Sequence, residues 1–306
     1  MKTLSFVAGR ALQGVVVMFG VSLIVFFALF LTGDPAALMM PPDASRAEIE
    51  AFRQAMGFND PIWVQYGRFL GGVLSGELGN SLRFQRPAID LLLERLPATA
   101  LLACTALLWS SLLGFLLGTI AAVRKNSAID FSIRVISLLG QAIPVFWLAL
   151  LLIIAFSLNL RWLPSSGIGT VWNLILPSIA LGAYYLSAIT RLVRASLIEV
   201  LGENYIRTAR AKGLTSWRVV VHHALRNALI PVITVQGMYF ASLLGGALVT
   251  EIIFAWPGIG RLAVEAIQNR DFPVVQAVVL FAALVFVVVN FLVDLAYVWL
   301  NPRVRL

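Results

Sequence analysis

The stretch from Glu203 to Pro231 concentrates charged side chains in this 306-residue sequence: Arg207, Arg210, Lys212, Arg218, His222, His223 and Arg226, interleaved with Tyr205, Thr208 and Trp217. These types suit binding better than catalysis. His222 and His223 stand without a Cys or carboxylate cluster, so they lack the ligand set of a metal site. Cys104 is the single cysteine and lies in an apolar run, which excludes an internal disulfide. Lysine occurs only at 2, 125 and 212, and none belongs to a Gly-x-x-x-x-Gly-Lys-Ser/Thr phosphate loop. No paired Asp, Ser–His set or His cluster falls inside an apolar run, which argues against an intramembrane enzyme.

The basic stretch reads as two short helices. The first ends near Gly213, the residue type that best accepts a left-handed C-cap. Thr215 or Ser216 can cap the second, whose apolar stripe would be Leu214, Trp217, Val221, Ala224, Leu225 and Ala228. Such a pair can plug into a partner's groove and transmit a push; alternatively it rests on acidic lipid.

The elements that must position this stretch are membrane helices. Of the residues 60% are hydrophobic and 12% charged, against roughly a quarter charged in a soluble domain. Uncharged stretches near 11–31, 98–122, 135–157, 172–190, 229–250 and 274–297 each suffice to cross ~30 Å of hydrocarbon. Only helices satisfy their own backbone there, and Pro144 and Pro177 are tolerable if neighbours re-satisfy the freed groups. The first stretch is too long for a signal-peptide core and lacks a small-x-small cleavage site, so it reads as a retained span. With the N-terminus inside, 14 of the 23 basic residues fall in inner segments beside three acids, Asp130, Glu199 and Glu203. Positive-inside therefore places both termini in the cytoplasm, and the net charge of +8 is this asymmetry rather than a nucleic-acid footprint. The expected fold is all-α and integral to the membrane: 1–31 the N-terminus and first span, 32–97 an external helical subdomain, 98–306 the remaining core with the inner loop 191–228.

In the external segment, Ser45 and Glu48 fit a capping box opening a helix that Gly57 can end. Asp60-Pro61 can start a second through Trp63, Tyr66 and Phe69, and a third leads from Arg86-Pro87 into the second span. This segment is either a plain cap or a docking platform for a soluble partner.

The inner loop resembles the coupling loop of bacterial binding-protein-dependent ABC permeases, whose general pattern is Glu-Ala-Ala, three residues, Gly. Aligned on Gly213, Arg207, Thr208 and Ala209 occupy the triplet, so the acid is absent. The form Tyr205-x-Arg-Thr-Ala-Arg-Ala-Lys-Gly213, then His223-Ala-Leu-Arg-Asn-Ala228-x-x-Pro231, is similar to the first membrane subunit of the dipeptide/oligopeptide/nickel/glutathione branch. Fragments along nearly the whole chain agree, among them Gly33-Asp34-Pro35, Gly76-Glu77-Leu78-Gly79-Asn80-Ser81, Trp162-Leu163-Pro164, Gly245-Gly246-Ala247, Pro257-Gly258-Ile259-Gly260 and Asn301-Pro302-Arg303. The resemblance implies an importer-type ABC permease fold in the bacterial inner membrane. It also implies a second similar permease, two ATPase subunits holding ATP and Mg, an external solute-binding protein, and no cofactor on this chain. Peptide is the modal solute of the branch; glutathione, nickel chelates and sugar-phosphate conjugates are alternatives. ATPase coupling would fall to Tyr205, Arg207, Thr208, Ala209, Arg210, Ala211, Lys212, Gly213 and Leu214.

Further positions carry expectations of their own. Gln236, Tyr239, Leu243, Gly246 and Thr250 recur at helical spacing, a small and polar stripe that suits tight packing or a lined path, the path being favoured. Glu251 ends the fifth span as a solvated helix end, an external gate or a binding-protein contact, and Arg270 and Asp271 join it in that outer set. Asp294 follows more than twenty uncharged residues, so it reads as paired with a basic residue at the inner face, as a gating residue or as a direct contact to the solute. Gly114 and Gly118 form a small-xxx-small packing pair. A stand-alone channel or secondary transporter would call for inverted repeats or buried relays, which the spans lack beyond these two acids.

Overall fold

A computed structural model describes residues 2–31, 34–41, 43–245 and 247–300, the side chains of 2–6, 30–31, 230 and 296–300 excepted. The described residues form helices α1 (Lys2–Leu31), α2 (Pro35–Met39), α3 (Arg46–Ala55), α4 (Ile62–Ser75) and α5 (Ala88–Val123). α6 (Ala128–Ala142) and α7 (Val145–Leu152) follow, then a π-helical stretch Ile153–Asn159, α8 (Trp172–Leu201) and α9 (Asn204–Ala211). After α10 (Ser216–Arg218) and a second π stretch, Val219–Ala224, come α11 (Leu225–Leu244), α12 (Leu248–Ile253), α13 (Ile259–Gln268) and α14 (Phe272–Leu300).

Four straight segments are long and apolar enough to span a bilayer: Val7–Leu29, Ala88–Val123, Trp172–Leu201 and Phe272–Leu295. Two bent pairs complete a set of six. The expected third span, 135–157, is not one helix. It breaks at Ile143-Pro144, and the two halves meet at 100°. Pro144 has no N–H to continue the ladder, and it disfavours helical geometry at Ile143, whose φ and ψ are −74° and 122°. The fifth span bends by 50° near Pro231 and stops at Leu244, short of the expected 250. The fourth runs past 190 to Leu201, so the first third of the expected inner loop is helix.

The core is the parallel pair α5 and α8, held together by missing side chains. A Cβ on Gly118 would sit 2.7 Å from the Thr190 carbonyl oxygen, and one on Gly114 would sit 2.8 Å from Ile189 Cγ2. Both glycines pack, as their spacing implies. α6 lies antiparallel on the same helix, with Gly140 against Ser187. Gly237 of α11 admits Val293 of α14 in the same manner, a Cβ there falling 2.1 Å from Val293 Cγ2.

Outside, Ser45 and Glu48 form the full capping box of α3, and Gly57 takes φ +69° beyond its end. α4 starts one residue later than Asp60-Pro61 suggests, with Pro61 as N-cap, while Asp60 accepts from Arg68 Nη2 at 2.6 Å. Helix boundaries shift this readily. α4 rests on α1: Ser22 and Tyr66 hydroxyls share a 2.8 Å hydrogen bond, and Phe26 stacks with Tyr66 and Phe69.

Orientation yields a direct test. Ser45 and Ser216 are both exposed. In a Cys104→Ala background, an impermeant thiol reagent on intact cells should label cysteine at position 45 and spare position 216; the opposite pattern would reverse the topology.

Candidate functional site

The inner face is built around α9. Ile206 and Ala209 cluster with Leu197 of α8, with Val219, Val220 and Ala224 of the π stretch, and with Ala122 at the end of α5. That burial leaves Arg207, Thr208, Arg210, Ala211 and Lys212 on the open side. Gly213 turns the chain with φ +79°; its N–H donates to the Arg210 carbonyl at 2.9 Å, and the Leu214 N–H reaches the Ala209 carbonyl at 3.4 Å. This left-handed cap satisfies carbonyls that the helix end would otherwise orphan. Asn227 Nδ2 donates to the Tyr205 hydroxyl at 2.8 Å, so α9 is also tied to α11. A short basic helix held on several sides can move only with the spans beneath it.

The second helix departs from its expected stripe. Trp217 is 74% exposed and Val221 is half-buried, whereas Val219 and Val220 are buried. The i→i+5 bonding of Val219–Ala224 inserts a residue into the turn and rotates the inward face. Leu214, Leu225, Ala224 and Ala228 keep their expected places.

Just above lies an ion pair that spacing alone does not reveal. Asp130 of α6 is fully buried and accepts from Arg194 Nε at 2.6 Å, Arg194 Nη2 at 2.8 Å and the Asn126 N–H at 3.0 Å. Arg134 adds a second cation at 3.5 Å. The bidentate fork locks the inner ends of α6 and α8 together.

The expected path stripe divides. Gln236 and Tyr239 are half-buried; Gln236 Nε2 donates to Ser111 Oγ on α5 at 2.6 Å, and Tyr239 stacks edge-on with Tyr185 at 4.9 Å. Leu243 is covered within this chain. It is 2% exposed among Leu102, Ala103, Ala106 and Leu181, because the face it shares with Ala247 and Trp256 packs on α5 and α8. Thr250 is 1% exposed, on the separate helix α12, since the span ends before it. Gly246 lies outside the described residues, as do Gly33 and Asn301-Pro302-Arg303. Tyr184 and Tyr185 on α8 complete an aromatic group with Tyr239, Tyr184 being 38% exposed. Two adjacent tyrosines inside an otherwise apolar span were the signal for them, with Arg191 two turns further on the same exposed face.

The outer set also changes character. Glu251 is fully buried, neither a solvated end nor an exposed contact. Its Oε1 accepts from Thr99 Oγ1 at 2.8 Å and its Oε2 from the Arg261 N–H at 2.9 Å, while Thr99 Oγ1 accepts from the Ile259 N–H at 2.8 Å. The carboxyl thus satisfies the first turn of α13 and fastens it to α5. Gly258 is required because its Cβ would fall 2.2 Å from the Glu251 carboxyl. Asp271, 2% exposed, accepts from the Ser81 hydroxyl and from the Leu82 N–H at 3.2 Å, pinning the outer loop to α14. Arg270 is the exposed member, at φ +55° in the α13–α14 turn. Glu251→Ala strands the Thr99 donor and the Arg261 N–H at about 1–3 kcal/mol each. The variant should unfold at a lower temperature and accumulate less in membranes, with Glu251→Gln intermediate; wild-type stability in the alanine variant would refute the scaffold role.

Asp294 finds a basic partner near the inner face, its Oδ2 lying 3.1 Å from Arg10 Nε.

Comparison with known proteins places this geometry. The family model described as binding-protein-dependent transport system inner membrane component matches residues 114–306, and its N-terminal membrane-component counterpart matches residues 3–103. The chain is 41% identical over 303 residues to the glutathione transport system permease protein GsiC of Escherichia coli strain K12, covering 99% of each chain. The same figures hold for GsiC of Shigella dysenteriae serotype 1. Among solved structures, a chain of the MetNI methionine ABC transporter in inward-facing conformations aligns with a TM-score of 0.59 at 18% identity, over 70% of this chain and 97% of that one. A chain of an amino acid ABC transporter aligns with a TM-score of 0.50 at 17% identity, over 71% and 95%.

Proposed function

The chain belongs to the family of binding-protein-dependent transport-system inner-membrane components, and from that premise we propose that it forms half of the solute path of an ATP-driven importer of small peptides, glutathione foremost. The observation that carries the reading is α9: a basic face turned outward, an apolar face buried against the ends of three spans, and a left-handed glycine stop. In this reading Tyr205, Arg207, Thr208, Arg210, Ala211, Lys212 and Gly213 engage one of two ATPase subunits, which hold ATP and Mg, whereas Ala209, expected among them, is buried and with Leu214 packs α9 onto the spans. A second, similar permease covers the face bearing Tyr184, Arg191 and Tyr239, and the path runs between the two copies. Segment 32–97, with Arg270, faces an external solute-binding protein on the outer side of the bacterial inner membrane. ATP-driven closure moves α9 and the spans fastened to it as rigid bodies, alternating access to the path.

The choice of solute rests on the glutathione-permease relatives and is tested by competition. Proteoliposomes holding the full complex should take up labelled glutathione when ATP and binding protein are supplied. Unlabelled short peptides should compete. Uptake of nickel chelates or sugar-phosphate conjugates, with glutathione and peptides inert, would overturn the peptide reading and leave the importer reading intact.

A further inference from the structure

A groove of about 640 Å³ runs along the seam of α1 and α14, away from the proposed path. Its walls are apolar, with Met18 and Phe19 on one side and Leu284, Val288 and Phe291 on the other. Leu70, Val73 and Leu74 of α4 close its outer end, where the Ser22–Tyr66 hydrogen bond seals the helices together. Its inner end is polar: Arg10, 42% exposed, lines it and pairs with Asp294, 31% exposed. On the other side of the seam, a smaller cavity of about 180 Å³ holds Gln13, Asn290 and the same ion pair.

From this we infer that the α1–α14 seam is a specific phospholipid site, with an acyl chain in the groove and the headgroup over Arg10 and Asp294. Dimensions favour a lipid of one leaflet. From Arg10 to Ser22 the groove follows twelve residues of helix, ~18 Å at 1.5 Å per residue, against ~15 Å for half of a hydrocarbon core. Both lining helices are spans whose exposed faces meet lipid. Charge selects the headgroup. The Arg10 guanidinium, already on Asp294 through Nε and on Gln13 through Nη1, attracts a phosphodiester by its charge, and the adjacent carboxylate balances that cation, so a purely anionic headgroup would meet Asp294 unfavourably. A zwitterionic lipid with a primary ammonium, phosphatidylethanolamine, places its phosphate on Arg10 and its ammonium on Asp294. Phosphatidylcholine has the same charges, yet its quaternary nitrogen has no N–H to donate to the carboxylate.

The test measures retained lipid. The full chain, with its co-produced subunits, is equilibrated in nanodiscs containing equal parts phosphatidylethanolamine, phosphatidylcholine and phosphatidylglycerol, then moved into mild detergent for native mass spectrometry. Phosphatidylethanolamine should remain bound in preference to the others. Val288→Trp, which fills the groove and leaves the ion pair intact, should lower that occupancy by about tenfold, the scale of about two acyl methylenes no longer buried. Arg10→Gln with Asp294→Asn, which leaves no unpaired charge in the seam, should abolish the headgroup preference while retaining the chain's stability. Equal retention of all three lipids, preference for phosphatidylglycerol, or unchanged occupancy in Val288→Trp would overturn the site. So would efficient crosslinking of Val288→Cys to a neighbouring subunit, since protein would then cover the groove.

Discussion

Asp130→Ala should cost about 3–5 kcal/mol of stability, the scale of removing one partner from a buried ion pair. Asp130 is fully buried, and Arg194, 20% exposed, makes its bidentate contact there. The alanine leaves the guanidinium without its carboxylate and also strands the Asn126 N–H. The measurement is thermal unfolding of the purified chain with its subunits, together with the amount recovered from membranes. A second variant separates the pair's geometry from its charge: Asp130→Leu with Arg194→Met replaces both members by apolar groups, and such replacements are often neutral or stabilising. The double variant should recover most of the loss. An alanine variant as stable as the wild type would show that the pair contributes nothing to the inner face.

Gly213→Val should uncouple transport from ATP hydrolysis. At φ +79° a β-branched residue pays about 1–2 kcal/mol in backbone strain, and the cost is purely conformational because a Cβ at this position meets no atom within 4 Å. Relief of the strain re-aims Lys212 and Leu214 and tilts the exposed face of α9. Solute-stimulated ATP hydrolysis should fall by about tenfold, corresponding to ~1.4 kcal/mol in the coupled step, while the chain still inserts and assembles. Gly213→Asn tests the cause, since asparagine tolerates the left-handed region and should retain most of the stimulation. Normal stimulated turnover in the valine variant would refute the role of this cap.

Much of the fold was legible because bilayers impose simple rules. Four of the six apolar stretches, the Ser45–Glu48 box and the Gly213 stop are each local, and each appears close to where its residues suggest. What stayed hidden depends on partners distant in sequence. Ile143-Pro144 reads the same whether a span kinks slightly or breaks at 100°, because neighbouring helices decide how the freed backbone groups are satisfied. Two π stretches turn the helix faces, and no composition rule announces them; Trp217 therefore faces out although its spacing with Leu225 and Ala228 places it inward. Glu251 looked exposed because it ends a span, and only the fold of α12 and α13 back onto Thr99 shows it to be buried. Leu243 shares the helical period of Gln236 and Tyr239, yet the lateral packing of α5 and α8 covers it. Asp294 was legible as needing a cation, though only the pairing of the first span with the last identifies Arg10.

The central claim is that this chain supplies half of a path and is driven from outside itself. Labelled glutathione uptake, compared between proteoliposomes containing the chain alone and those containing the chain with its second permease, ATPases and binding protein, tests it most directly. The account predicts ATP-dependent uptake in the complete set and none above empty liposomes for the chain alone. Solute uptake by the isolated chain, with no ATPase present, would contradict it and identify a self-sufficient channel or secondary transporter.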